Sequence, residues 1–187
     1  MDNHEVWQKT EFSGLYIREF SPYHDERGLF SKVFDMQNCA SLLDGTNVCQ
    51  VNISTTKSKG SVRGLHFQYP PYAEHKIITC VRGAIWDVVV DMRRHSRTFM
   101  QHFTITMEQK NSLSLLVPPG FAHGFQTLTD DAELIYAHTK PYVKEYEGGL
   151  NVLDKALNIS WPLEVKNLSE RDKNHPLLKT GSSVELF

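Results

Sequence analysis

Through its middle the chain alternates apolar and polar positions with a period of two, the pattern of strands that bury one face, and helical periodicity is scarce. Ile77-Ile78-Thr79-Cys80-Val81 and Ala84-Ile85-Trp86-Asp87-Val88-Val89-Val90-Asp91 are rich in β-branched residues, and Arg82-Gly83 between them reads as a tight turn. Residues 99–107, 113–117, 124–128 and 132–139 continue the pattern, each run short and bounded by Asn, Gly, Pro or Asp. Such even spacing predicts an all-β sandwich or barrel rather than a parallel α/β sheet. Short helices are expected only at residues 36–43 and near 168–173, where the hydroxyl and acids of Leu168-Ser169-Glu170-Arg171-Asp172 suit a helix start. Taken alone, that tail segment reads as a solvated cap. With 187 residues, no repeat and no low-complexity linker, one core and one domain spanning residues 1–187 are expected.

Composition narrows the function classes. A net charge of -2 gives no broad positive field, so nucleic acid and anionic membrane surfaces lack electrostatic support as partners. Three widely spaced cysteines, Cys39, Cys49 and Cys80, form no C-x-x-C pair and suggest a reducing, cytoplasmic setting. Acids and polar groups occupy the amino terminus where a signal peptide would need a cationic start and an apolar stretch, and no window approaches the ~20 apolar residues that span a bilayer.

Two segments carry candidate chemistry. In Val62-Arg63-Gly64-Leu65-His66-Phe67-Gln68, Arg63 and His66 have opposite parity on a regular strand, and a bulge at Gly64 would turn both toward one cavity. On its own His66 reads as a hydrogen-bonded core histidine. In Val117-Pro118-Pro119-Gly120-Phe121-Ala122-His123-Gly124-Phe125 a sharp turn delivers His123 to the mouth of a sheet, or forms a plain hairpin corner. The order Gly60, His66, Glu74, Gly83, then Pro118-x-Gly120 and His123, matches the paired motifs of cupins, which are double-stranded β-helix jelly rolls. Metal-binding cupins carry His-x-His where this chain has His66-Phe67-Gln68, and Gln is a poor substitute for imidazole, so no metal is expected; His75 beside Glu74 is the one replacement ligand in sight.

A closer resemblance lies in Asp25-Glu26-Arg27-Gly28, Arg63-Gly64-Leu65-His66-Phe67-Gln68, Lys76 before a strand, Val81 through Arg93, Pro118 through Phe125, Ala132-Glu133-Leu134-Ile135-Tyr136, Ile159-Ser160-Trp161-Pro162 and the Leu168 to Asp172 segment. Over almost its whole length the chain resembles the dTDP-4-dehydrorhamnose 3,5-epimerases. The resemblance implies an isomerase that inverts C3, C5 or both of a nucleotide-linked 4-keto-6-deoxyhexose through an enolate, in deoxysugar biosynthesis and without a cofactor. It makes His66 the base, Asp172, supplied by the tail at about 163–187, its partner, Tyr136 the acid and Lys76 the cation near the keto oxygen. Arg27, Phe30, Gln50, Asn52, Arg63, His123 and Asp87 fall at substrate-lining positions, Arg27 reaching into a second subunit of a homodimer that exchanges residues 14–34. Departures around the expected sugar pocket are Lys32, Glu74-His75 and Pro141-Tyr142, and Pro141 is expected to alter ring rotation between two proton transfers and so to favour single epimerisation. Two other readings stay open. A metal-dependent cupin isomerase or dioxygenase would join His66, His123 and a carboxylate around an ion, and a non-catalytic sugar-binding cupin would need no base and acid at all.

Overall fold

The computed structural model describes residues 6–178. Its strands are β1 (Gln8–Lys9), β2 (Tyr16–Glu19), β3 (Tyr23–Asp25), β4 (Gly28–Phe30), β5 (Gln50–Thr56), β6 (Val62–Gln68), β7 (Lys76–Arg82), β8 (Ala84–Asp91), β9 (His102–Glu108), β10 (Leu113–Val117), β11 (Phe121–Thr127), β12 (Ala132–His138) and β13 (Glu147–Gly149). One sheet runs β1-β2-β10-β7-β12-β5, a second runs β13-β6-β11-β8-β9, and β3 with β4 forms a separate hairpin. The two larger sheets face each other across a shared core in an all-β jelly roll, as the period-two pattern predicts. Among the described residues no helix is long and apolar enough to cross a membrane.

Parity along β8 shows how the layers are filled. Ile85 and Val89 point inward to the core between the sheets, with Ile78, Leu115, Phe121, Phe125 and Leu134. Val88 and Val90 point outward and are covered by Leu150, Val152, Leu157 and Trp161 from the carboxy-terminal segment. Burying each of these aliphatic side chains contributes roughly 1.5–3 kcal/mol. Helix α1 (Met36–Cys39), capped by the Asp35 side chain on the Gln37 amide, covers the outer face of the first sheet together with Trp7, Phe34 and Leu43.

Most expected elements form, with shifted ends. The strand expected over 99–107 begins at His102, because the preceding turn is tied to Asp91, whose carboxylate accepts from Arg93, Ser96 and Thr98. The strand expected from 124 starts at Phe121, directly after the Gly120 turn. The helix expected over 36–43 tightens to a 3-10 turn at Ala40–Leu42. Helix α2 (Glu170–Lys173) forms where its cap signal lies, with Ser169 accepting from the Asp172 amide. Of the expected tail, 179–187 lie outside the described residues, as do residues 1–5 of the amino terminus.

Candidate active site

A cavity of about 440 Å³ opens between the sheets, floored by Phe125 and Tyr136 of the core. Strand parity selects its lining. Gln50, Asn52 and Ser54 of β5 face in, whereas Val51 and Ile53 between them are 61% and 72% exposed. Tyr136 and His138 follow the same rule on β12, and Lys140 continues it.

The expected bulge is present at Gly64. On β11 His123 and Phe125 are two residues apart, yet they oppose His66 and Arg63, which are three apart, so both β6 side chains turn to the cavity. Paired glycines make this close approach possible. Gly64 has φ +127°, and a Cβ there would lie 2.6 Å from the Gly124 Cα, while one on Gly124 would lie 2.7 Å from the Arg63 carbonyl.

His66 Nε2 lies 2.8 Å from the Asp172 Oδ1, and Asp172, delivered by α2, is almost fully buried. Burial alone would raise the Asp172 pKa, but the His66 hydrogen bond and charge, with the Gly64 amide, outweigh it and hold the carboxyl at about 2. Arg171 Nη2 sits 3.0 Å from the same imidazole nitrogen, and its Nη1 donates to both Glu147 oxygens at 2.8 and 2.9 Å. The Tyr142 hydroxyl donates to Glu147 as well. His175 stands edge-on to the His66 ring, 5.7 Å between centroids.

From the opposite sheet comes Tyr136, between His123, edge-on at 6.0 Å, and His138, stacked at 5.9 Å. Burial, reinforced by the Asp87 charge, pushes the Tyr136 phenol well above its ordinary pKa, so it carries its proton at neutral pH. Burial and the neighbouring Lys76 push His138 down to about 4, so its ring is neutral. Lys76 Nζ donates to the His66 carbonyl at 3.2 Å and pairs with the buried Glu74 at 3.2 Å. Among the described residues Arg63 pairs with no carboxylate: its guanidinium donates to Ser54 at 2.6 Å and Thr56 at 3.3 Å, leaving its charge to the cavity.

The structure thus brings His66, Asp172, Tyr136, Lys76, Gln50, Asn52, Arg63 and His123 together, and it corrects several other expectations. Asp87 does not line the cavity. It shares the inward parity of Ile85 and Val89 but is wholly buried behind His123, whose Nε2 it holds at 2.8 Å. Arg27 and Phe30 lie on the β3–β4 hairpin, with Arg27 paired to Asp25 and Phe30 74% exposed, and neither enters the cavity of its own chain. His75 cannot replace a metal ligand there, because it is buried against Asp44 at 3.5 Å. With His66 and His123 each committed to a different carboxylate, the single His66–His123–carboxylate cluster of a metal cupin does not form among the described residues. Of the departures, Glu74 and Tyr142 line the cavity, whereas Lys32 pairs with Asp35 elsewhere and Pro141 only offers its carbonyl to Gln68. Ser54, His138 and Lys140 were missed, although parity from Asn52 and Tyr136 signals them; Glu147 and Arg171 meet only through tertiary structure, with no local signal for it.

Residues 9–180 match the family model described as dTDP-4-dehydrorhamnose 3,5-epimerase. A relative of that name from Shigella flexneri is 40% identical over 167 residues, covering 89% of this chain and 92% of the relative. The dTDP-6-deoxy-D-glucose-3,5-epimerase of Legionella pneumophila, solved with dTDP-4-keto-L-rhamnose, superposes with TM-score 0.88 at 34% identity, covering 96% of each chain. A 3'-monoepimerase from Streptomyces bikiniensis, solved with dTDP-quinovose, gives TM-score 0.84 at 32% identity, covering 91% of this chain and 86% of the other.

Proposed function

The chain belongs to the dTDP-4-dehydrorhamnose 3,5-epimerase family, and from that premise we propose how its own side chains carry the reaction. It is an isomerase of a nucleotide-linked 4-keto-6-deoxyhexose, acting at the carbons that flank the ketone, in deoxysugar biosynthesis. One observation supports the division of labour best: His66, backed by a buried carboxylate, and Tyr136, a phenol held neutral, line one cavity from opposite sheets with Lys76 beside them.

With Nε2 donating to Asp172, Nδ1 is the His66 nitrogen left to act as base. It takes the proton from the carbon next to the ketone, the C–H electron pair moves into the enolate, and the imidazolium formed is stabilised by Asp172. Lys76 offers positive charge where the enolate oxygen develops. Tyr136 returns a proton to the opposite face, which inverts the carbon. Arg63, with Gln50 and Asn52, receives the diphosphate, for which a planar guanidinium without an internal carboxylate is suited. His123, held by Asp87, packs against the phenol and fixes its approach.

Arg27 and Phe30 then serve a neighbouring copy. The hairpin exposes Tyr23, Leu29 and Phe30, and the β5 edge exposes Val51 and Ile53, apolar surface that a homodimer would bury. Strand β2 pairs with β10 of its own chain, so the exchanged part contracts from residues 14–34 to the hairpin. A stable monomer in light scattering at micromolar concentration would contradict this. The three thiols are free, which suits a reducing cytoplasmic setting.

The reaction is tested by incubation with dTDP-4-keto-6-deoxyglucose in heavy water. The reading expects deuterium at C3, C5 or both, and none with His66→Ala. Equal incorporation by the parent and His66→Ala would refute it, and incorporation at both carbons would refute the single epimerisation expected from Pro141.

A further inference from the structure

At the Nε2 edge of the His66 ring three potential metal-ligating groups converge. One ligand atom each from His66, Asp172 and His175 lies within 4.8 Å of the other two, the only such cluster among the described residues. Both imidazoles address the same oxygen: His66 Nε2 is 2.8 Å and His175 Nε2 3.9 Å from Asp172 Oδ1. The His175 Nε2 is buried and has no hydrogen-bond partner among the described residues, a cost that a bound group would remove. Its ring is seated over Gly149, where any Cβ would collide with it, so the glycine leaves room for the imidazole at this spot.

We propose that His66, Asp172 and His175 form an inhibitory site for a divalent cation of the zinc type. Two imidazoles and a carboxylate are ligands that suit Zn²⁺, and three protein ligands plus a water complete a tetrahedron. Ligand atoms about 2.0–2.1 Å from such an ion lie about 3.3 Å from one another; the two imidazole–carboxylate distances, 2.8 and 3.9 Å, bracket that value, and the two imidazoles, within 4.8 Å of each other, must close toward it. The Arg171 guanidinium, with Nη2 3.0 Å from His66 Nε2 and Nε 3.4 Å from Asp172 Oδ1, must withdraw from both ligand atoms, and Glu147 already holds its Nη1.

The consequence rests on the proposed role of His66 as base. An ion on Nε2 occupies the lone pair there and forces the ring proton onto Nδ1, the nitrogen that would take the proton from carbon. No proton is gained or lost by the ring, yet the base is switched off. Because the ion acts on the base itself, the loss falls on kcat.

Chelator-treated protein carrying Cys49→Ser, which removes the exposed thiol, is titrated with Zn²⁺ in equilibrium dialysis and with Co²⁺ while its visible d–d absorption is recorded. His175→Phe keeps the ring shape but removes the ligand, and His175 has no part in the proposed chemistry, so this variant should turn over normally. One bound equivalent, a nitrogen and oxygen d–d spectrum, and at least a tenfold loss of kcat reversed by EDTA are expected, all abolished by His175→Phe. Absence of stoichiometric binding, or its persistence in His175→Phe, would overturn the site. Stoichiometric binding that leaves turnover intact would overturn the inhibition and lay the fault on His66 as base, while the site itself would stand.

Discussion

Replacing Asp172 by Asn changes the group behind His66 while keeping its shape. The folded site holds this carboxyl at about 2 against an ordinary 3.8, so it favours the carboxylate by about 2.5 kcal/mol at 1.36 kcal/mol per unit. Much of that preference runs through His66, and the same attraction stabilises the positive ring formed when His66 accepts a proton. Its loss alone costs roughly 10²-fold in rate. The Asn amide can also donate to Nε2, which moves the ring proton to Nδ1 and removes the base lone pair. Together the expected fall in kcat is about 10²–10⁴-fold. KM should change little, because Asp172 does not line the substrate cavity. The Asn oxygen can still accept from the Gly64 amide, now 3.3 Å from Asp172 Oδ2, so the fold should persist. Steady-state turnover and deuterium wash-in on the same preparation read both parameters. A kcat within tenfold of the parent, or a loss carried wholly by KM, refutes the dyad.

Three further outcomes are expected. Tyr136→Phe should abolish inversion while leaving slow deuterium exchange with retention, since the His66 face is untouched; full inversion by this variant, read by NMR of the product, would remove Tyr136 as the acid. His138 is held at about 4 against 6.5, so between those values the unfolded chain binds a proton that the folded chain refuses. Its contribution is therefore present above pH 6.5 and lost as pH falls toward 4, by up to about 3 kcal/mol before solvent screening. His138→Gln should flatten the drop in urea midpoint over that window, and an unchanged slope would contradict the assignment. Gly64→Ala forces a Cβ to 2.6 Å from Gly124 Cα and 2.8 Å from the His123 carbonyl at φ +127°, at a cost of at least about 2 kcal/mol; a thermal midpoint equal to the parent's would show that the bulge is not under this constraint.

Legibility in the sequence followed the range of the interactions. Strands β7, β8, β10 and β12 were readable because β-branched residues at period two and their Gly or Asn punctuation act locally. The Gly64 bulge was readable too, since Arg63 and His66 could share a face in no simpler way. Strand β5 was not identified: Gln50-Val51-Asn52-Ile53-Ser54-Thr55-Thr56 turns its polar side inward to a wet cavity and its apolar side outward, the reverse of a strand on a dry core. Asp87 was misplaced for a related reason. Parity gives its direction, inward, but the depth at which His123 closes over it is set by β11, a neighbour in space and not in sequence. Arg171 and Glu147 are separated along the chain and join only when α2 docks beside β13.

Two histidine–aspartate pairs stand side by side, because His66 and His123 are direct cross-strand partners, and each Nε2 lies 2.8 Å from its carboxylate. Their hydrogen bonds therefore cannot decide which one acts as the base. Access can. The His66 side chain is 23% exposed and the His123 side chain 6%. Asp87 behind His123 is sealed in the core, with one oxygen unpartnered among the described residues, whereas Asp172 arrives on a docked tail helix. A base must meet a carbon acid and later release its proton, which favours the ring that water and substrate can reach. The enclosed ring, edge-on to Tyr136, is better placed to hold the phenol still. Identical pairs thus support different duties because every residue of β11 is buried, whereas the His66 side chain on β6 keeps partial access. Exchanging the carboxylates for amides one at a time should separate them: Asp172→Asn strikes kcat, while Asp87→Asn strikes stability and the ratio of inversion to exchange. Equal kinetic profiles for the two variants would contradict that division.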